Sequence, residues 1–306
     1  MNNDRIQEIL DLMEEARLDY FLISDPQSIA YCTGYYNDPH ERMFVFMVSK
    51  HGNHTLFMND LFYLEHDLGV NIVWHKDGQD AIQTIVNEMH FPGRIGIDKN
   101  WASHFLLDLM KKLPNAKYIN ASPCVDLVRM KKDLQEQVLM IESSKINDAV
   151  MEEIIPFIQE GVSEKQLAKK LDELFFNHHS TCYGAIVAFG KNAADPHHEN
   201  DDTLLRKGNC VLIDMGCVYK GYCSDMTRTF FYGGIREDEM KVYEIVKKAN
   251  EAAEAMIKPG VKLSDIDKCA RKVISDESYG QYFTHRLGHF IAVSYTHLTL
   301  PTIRLV

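Results

Sequence analysis

The chain has 306 residues, 45% hydrophobic and 25% charged, which excludes a disordered, collagen-like or small disulfide-stapled protein and leaves enough length for two domains. Lys and Arg number 33 against 44 Asp and Glu, and the formal charge of −11 argues against general attraction to nucleic acid or an anionic membrane. The seven cysteines (Cys32, Cys124, Cys182, Cys210, Cys217, Cys223, Cys269) are odd in number and contain no C-x-x-C pair, so they read as reduced and mostly buried thiols.

The start, Met1 to Arg5, has no basic region followed by an apolar stretch, and apolar runs such as Met43 to Val48 are far too short to span a bilayer. The expectation is a soluble, cytoplasmic protein without membrane or nucleic-acid partners. Ile6, Ile9, Leu10 and Met13 recur at helical spacing, and the run Tyr20 to Ile23 stops at Ser24-Asp25-Pro26. Short strand-like runs follow at Phe44 to Val48, Thr55 to Met58, Asn71 to Trp74, Arg94 to Ile97 and Lys117 to Ile119, with helical patterns at Ala81 to Met89 and Phe105 to Leu113. This alternation predicts an α/β layer with a mixed or parallel sheet, and it carries no Gly-rich phosphate loop.

Ser122-Pro123-Cys124 through Lys131-Lys132-Asp133 reads as a connector, because it combines proline with clustered charge, and it places a domain boundary near Asp133. A long helix is predicted from Leu134 to Ile158 and a second from Ser163 to Phe176, where Ser163 with Gln166 matches a capping box. Strand-like runs at Ala185 to Phe189, Val211 to Asp214 and Thr227 to Tyr232, then helices at Glu237 to Ile257 and Leu263 to Ser275, make this half α+β.

Within that half, Asp214 closes one apolar run and Asp225 precedes another. Gly216 and Gly221 between them are expected to supply a hairpin-like return that brings both carboxylates to one pocket. Two carboxylates so placed repel unless a cation lies between them, and a divalent metal pair is one solution. Downstream, Phe283-Thr284-His285-Arg286-Leu287-Gly288-His289 sets two imidazoles four apart around a glycine, and imidazole is a common ligand of first-row metals. Upstream, Gly190-Lys191-Asn192-Ala193-Ala194-Asp195-Pro196-His197-His198 is a turn-rich loop presenting histidine after proline. His178 and His179 read as surface or cap residues, and His198 as loop surface.

The order G-x-N-x-x-x-P-H, then L-I-D-x-G-x-x-x-x-G-Y-x-S-D-x-T-R-T-F, then H-R-L-G-H resembles the pita-bread metallopeptidases, in particular the Xaa-Pro aminopeptidase and Xaa-Pro dipeptidase (prolidase) branch. The preceding α/β half resembles the creatinase-like N-terminal domain of that branch. The resemblance implies residues 1–133 as the creatinase-like domain and 134–291 as a partial pita-bread domain, incomplete at its C-terminus. It implies Asp214, Asp225 and His289 as metal ligands and His197 and His285 as substrate-binding histidines. In the family two divalent ions, usually manganese, cobalt or zinc, share a water that attacks the peptide carbonyl beside the N-terminal residue. A bound ion lowers the pKa of its water from about 15.7 towards ~7. The histidine matching His197 is expected to hydrogen-bond the substrate or the developing oxyanion. The implied substrates are proline-containing peptides or dipeptides, and relatives are often homodimers.

After Ile291 the family continues with a second substrate histidine and two metal-binding glutamates, whereas this chain has Thr296 seven residues after His289 and no glutamate beyond Glu277. Val293 to Thr302 resembles a translated sequencing-library adapter, so residues 292–306 are expected to be a non-native tail. The expectation for the chain as written is weak metal binding, poor stability and little peptidase activity. Two other readings keep the fold. One is a catalytically inactive relative serving as a binding or interaction protein. The other is a metal-free hydrolase of small guanidino compounds, which the set Asp214, Asp225 and His289 speaks against.

Overall fold

Alternation along the first strands decides the layering of the N-terminal half of this computed structural model. Strand β1 (Tyr20–Ile23) sends Phe21 and Ile23 to one apolar cluster and Tyr20 and Leu22 to another, and all four are buried. The structure describes residues 1–293 and the main chain of 295 and 296, and the chain divides into two compact units, Met1–Lys131 and the remainder from Lys132.

In the first unit, helix α1 (Asn3–Glu15) precedes β1, and α2 (Pro26–Thr33) follows it. Then come β2 (Val45–Ser49), β3 (Thr55–Asn59), β4 (Asn71–His75), α3 (Ala81–Glu88), β5 (Arg94–Ile97), α4 (Ser103–Lys112), β6 (Lys117–Asn120) and α5 (Ser122–Met130). The strands form one mixed sheet in the order β4-β3-β2-β1-β5-β6. Antiparallel pairs join β1, β2 and β3, and parallel pairs join β1 to β5, β5 to β6 and β3 to β4. Ile9, Met13, Val125 and Val128 cover the Phe21 face, while Ile82, Ile85 and Leu109 cover the Tyr20 face, giving the expected α/β sandwich.

Two segments depart from the sequence reading. Ser24-Asp25-Pro26 ends the strand and also starts α2, since Asp25 accepts the Ser28 amide as N-cap and Pro26 occupies the first turn. The proline of the expected connector acts the same way in α5, and Cys124, Val125 and Val128 bury that helix in the core. Apolar residues at helical spacing outweigh the composition of the stretch. The cysteines are reduced, with Cys32, Cys124, Cys217 and Cys223 buried, and burial pushes the Cys32 thiol up to about 12.

The second unit opens with α6 (Leu134–Ile154) and α7 (Glu164–Asn177), both started by complete capping boxes, Asp133 with Glu136 and Ser163 with Gln166. Pro156 follows α6 in a 3-10 turn, which is why the helix stops short of Ile158. Strands β7 (Thr181–Cys182), β8 (Ile186–Phe189), β9 (Cys210–Met215), β10 (Cys217–Tyr219), β11 (Tyr222–Cys223) and β12 (Met226–Phe231) form two three-stranded sheets, β11-β10-β7 and β12-β9-β8. Val150, Ile154, Leu171 and Phe175 pack with Val187, Val211 and Ile213. Helices α8 (Glu237–Glu254) and α9 (Leu263–Asp276) pair through Ile245, Ala249, Ile266 and Ala270, and β13 (Phe290–Ile291) pairs with β14 (Tyr295–Thr296). Of the expected tail, position 294 and residues 297–306 lie outside the described residues. Among the described residues, no helix is long and apolar enough to cross a membrane.

Asp19 ties the start of β1 to that of β5 by accepting the Gly93 and Arg94 amides, each at 2.8 Å, with the Lys50 ammonium beside it. Burial pushes its carboxyl up, but the Lys50 and backbone hydrogen bonds outweigh burial and hold it below the ordinary 3.8. A depressed folded value means that this stabilisation is complete above the ordinary pKa and is lost as pH falls through the folded one. Asp19→Asn should therefore lower Tm at neutral pH and flatten its fall between about pH 5 and about pH 2. Acid melting curves of identical slope in the two proteins would remove Asp19 from this role.

Candidate active site

The pleat of β9 separates its residues into two sets. Val211, Ile213 and Met215 are buried in the core, and Leu212 and Asp214 face the other way, half-buried. Antiparallel β12 sets Met226 opposite Met215 and Thr227 opposite Asp214. By that alternation Asp225, one residue before β12, lies on the same face as Asp214 and Thr227. The Thr227 hydroxyl donates to Asp214 Oδ1 at 2.6 Å.

The return between these strands is built differently from the expectation. Lys220 and Gly221, with φ of 47° and 84°, form the two-residue turn between β10 and β11, where the left-handed region is required at both positions. Gly216 instead permits a close approach. The Tyr183 hydroxyl donates to Ser224 O beside it, and a Cβ at 216 would fall 2.1 Å from that hydroxyl and 2.2 Å from Ser224 O. Gly216 thus lets the chain carrying Asp225 lie against the chain carrying Asp214.

The segment holding the second histidine pair is fastened to α9. The Arg271 guanidinium donates to Phe283 O at 2.7 Å and His285 O at 2.9 Å, while Asp267 Oδ1 accepts the Leu287 amide at 2.8 Å. Burial pushes the Asp267 carboxyl up, but the Arg271 guanidinium and the Leu287 amide outweigh it and hold the group below its ordinary range. So fastened, the segment brings His289 Nε2 to 3.4 Å from Asp225 Oδ2. Asp225 and His289 are therefore neighbours, and Asp214 shares their strand face through register.

His285 is exposed, packs edge-on against Phe283 and sets Nδ1 2.7 Å from Arg286 O. His197 is exposed on the 190–203 loop, with its amide donating to Asp195 Oδ1 at 3.0 Å. His178 caps the end of α7 and meets Glu153 at 3.0 Å. His198 differs from its surface reading. Its side chain is only 12% exposed and lies 2.7 Å from the fully buried Glu164. Sequence reasoning passed over Glu164, Thr227, Asp267 and Arg271, all of which hold a candidate residue or its loop. Thr227 stood as a fixed letter of the S-D-x-T-R-T-F motif without a role, and Glu164 carried a local signal as an acidic residue in the first turn after a serine cap.

A set of two carboxylates and one imidazole suits a divalent first-row ion, and the adjacency of Asp225 and His289 fits such a group. Gly216→Ala should cost about 1–3 kcal/mol through overpacking against Tyr183. It should lower the melting temperature by several degrees. A variant as stable as the parent would mean that the contact yields without consequence.

The profile of the metallopeptidase family M24 matches residues 138–304, and that of the creatinase/prolidase N-terminal domain matches residues 5–131. An uncharacterized peptidase of Staphylococcus aureus (strain bovine RF122 / ET3-1) is 31% identical over 294 residues, covering 93% of this chain and 82% of that protein. Among solved structures, a dipeptidase from Pyrococcus horikoshii OT3 is 33% identical with a TM-score of 0.84, covering 95% of this chain and 85% of that one. An Xaa-Pro dipeptidase from Bacillus anthracis is 26% identical with a TM-score of 0.85, covering 97% of this chain and 83% of that one. With a creatinase-like α/β unit followed by a pita-bread unit, this chain belongs to metallopeptidase family M24.

Proposed function

We propose that the protein is a metal-dependent peptidase acting on the bond between an N-terminal residue and proline, in Xaa-Pro peptides or dipeptides. The observation that carries this reading is the approach of His289 to Asp225 on the strand face that also bears Asp214. Family membership supports peptide hydrolysis, and the Xaa-Pro dipeptidase among the similar structures supports proline as the second residue.

In this reading Asp214, Asp225 and His289 hold the metal, with manganese, cobalt and zinc all compatible with mixed carboxylate and imidazole donors. Two bound divalent ions would supply a nucleophilic water at neutral pH and Lewis-acid polarisation of the peptide carbonyl. The chain's own contribution is orientation. Thr227 holds one oxygen of Asp214, and the other would be the metal donor. Arg271 and Asp267 hold the backbone on which His285 and His289 stand. His197 and His285, both exposed, are assigned in this reading to the substrate, since an imidazole N–H can donate to the carbonyl oxygen as negative charge develops, an interaction worth about 3 kcal/mol in comparable sites. Proline lacks an amide N–H, so a proline site needs a shaped apolar wall and no acceptor for that proton. The residues 1–133 and 134–291 are proposed as the two functional domains.

Three donors make a weak site, so metal binding is the first test. Mn(II) titrated into the purified chain should bind, and Asp225→Asn and His289→Ala should each weaken binding by about 10–100-fold. Hydrolysis is expected to be slow, Mn(II)-dependent and confined to Ala-Pro when compared with Ala-Ala. Unchanged affinity in both variants would falsify the metal centre, and equal cleavage of Ala-Ala would remove proline specificity.

A further inference from the structure

Glu164, the first residue of α7, is completely buried. A carboxylate taken out of water needs its lone pairs answered, or its desolvation is uncompensated. Oε1 accepts the Phe189 amide at 2.8 Å and Asn192 Nδ2 at 2.9 Å. Oε2 accepts the Asp201 amide at 3.1 Å and lies 2.7 Å from His198 Nε2. Four nitrogen donors on two oxygens use the full acceptor capacity of the group. Although Glu164, His198 and Asp201 bring ligand atoms within 4.8 Å of one another, a cation there would have to displace N–H donors already seated on Glu164. The cluster is a hydrogen-bonded hub.

All four donors belong to residues 189–201, and His197 lies inside that stretch. The same loop is fastened along its edges. Thr203 O accepts the Glu164 amide and Asp201 O the Lys165 amide, each at 3.2 Å. The Asn200 side chain accepts the Val187 amide and donates to Ala185 O, both at 2.7 Å. Asn192 and His198 are therefore pinned on either side of Asp195-Pro196-His197, which is exposed. An exposed imidazole on a loop free to fray would sample many orientations, and a tether on its immediate neighbour removes most of them.

We infer that Glu164 and His198 are positioning residues that hold the 190–203 loop so that His197 is presented to substrate in one orientation. The substrate role of His197 rests on the reading proposed above, while the ordering of the loop by Glu164 and His198 does not. Neither residue touches the reacting atoms. Their effect passes through the backbone between His197 and His198.

The test follows the His197 ring Cε1–H resonance and amide hydrogen exchange in the full chain. In Glu164→Gln one oxygen becomes a donor facing other donors, so exchange of the Phe189 and Asp201 amides should quicken at least tenfold. The His197 resonance should broaden or move toward its unstructured position, with β9 and β12 amides still protected. His198→Ala should reproduce the effect and His198→Gln, which keeps a neutral donor, should reverse it. Val150→Ala, which loosens the same core without touching the loop, should leave the His197 resonance in place. Should Glu164→Gln not fold, the His198 pair decides. An unmoved His197 resonance with unchanged loop exchange in folded Glu164→Gln, or in His198→Ala, overturns the inference. Binding of Ala-Pro in the presence of Zn(II) that survives His197→Ala would instead overturn the substrate role while leaving the positioning intact.

Discussion

The register of β9 against β12 is the constraint on which the candidate site depends. Six residue pairs, from Met226 opposite Met215 to Phe231 opposite Cys210, lock β12 to a strand whose alternate residues face a packed core. Slipping by one position would turn Asp214 toward Val211 and Ile213's buried side and bring apolar residues out, so burial itself enforces where the carboxylate points. The turn at Lys220-Gly221 and the close approach at Gly216 serve that register, and Thr227 becomes the partner of Asp214 only because of it.

Around this fixed pair of strands, the other candidate residues sit on irregular backbone that would not hold its shape unaided. Each such segment is tied by a charged group reaching from a neighbouring helix. Arg271 and Asp267 on α9 bind backbone groups of the His285 segment, and Glu164 on α7 binds those of the His197 loop. The physical logic is common to both. A loop has backbone donors and acceptors without a ladder to join, and a buried or half-buried charge with several hydrogen-bonding positions can satisfy several of them at once. Family membership in the M24 metallopeptidases then gives this arrangement its chemical setting, with exposed imidazoles carried on clamped loops beside a carboxylate-bearing sheet.

Much of the architecture was readable from residue order. Strands at Tyr20, Val45, Thr55 and Arg94, the Ser163 capping box and the paired helices near Glu237 and Leu263 follow from periodicity and caps that act within a few residues. The readings that failed involve one residue serving two ends of a signal or a distant partner. Pro26 read as the stop of a strand, which it is, and it also starts a helix, while Pro123 read as part of a connector yet starts a helix, because in each case the following apolar residues have a core to enter. His198 read as surface because nothing near it in sequence announces Glu164, 34 positions earlier. Gly216 read as a turn residue, although its requirement comes from Tyr183 and Ser224 lying against it.

Sequence by itself determined the α/β and α+β halves, the caps, the spacing of Asp214, Asp225, His285 and His289, and the family resemblance, because each depends on chemistry local to a strand, a helix turn or a short motif. Tertiary structure alone decided which faces became interior. On α6 it buries Glu136, Ser143 and Asn147 while Leu134, Val138 and Ile141 remain exposed, the reverse of what hydrophobicity along the helix suggests. Glu136 can be buried because its oxygens meet the Asp133 amide and the Tyr222 hydroxyl, 86 residues away. Partners so distant in sequence are selected by packing the whole unit, since a polar group's cost of burial depends on what the fold places opposite it.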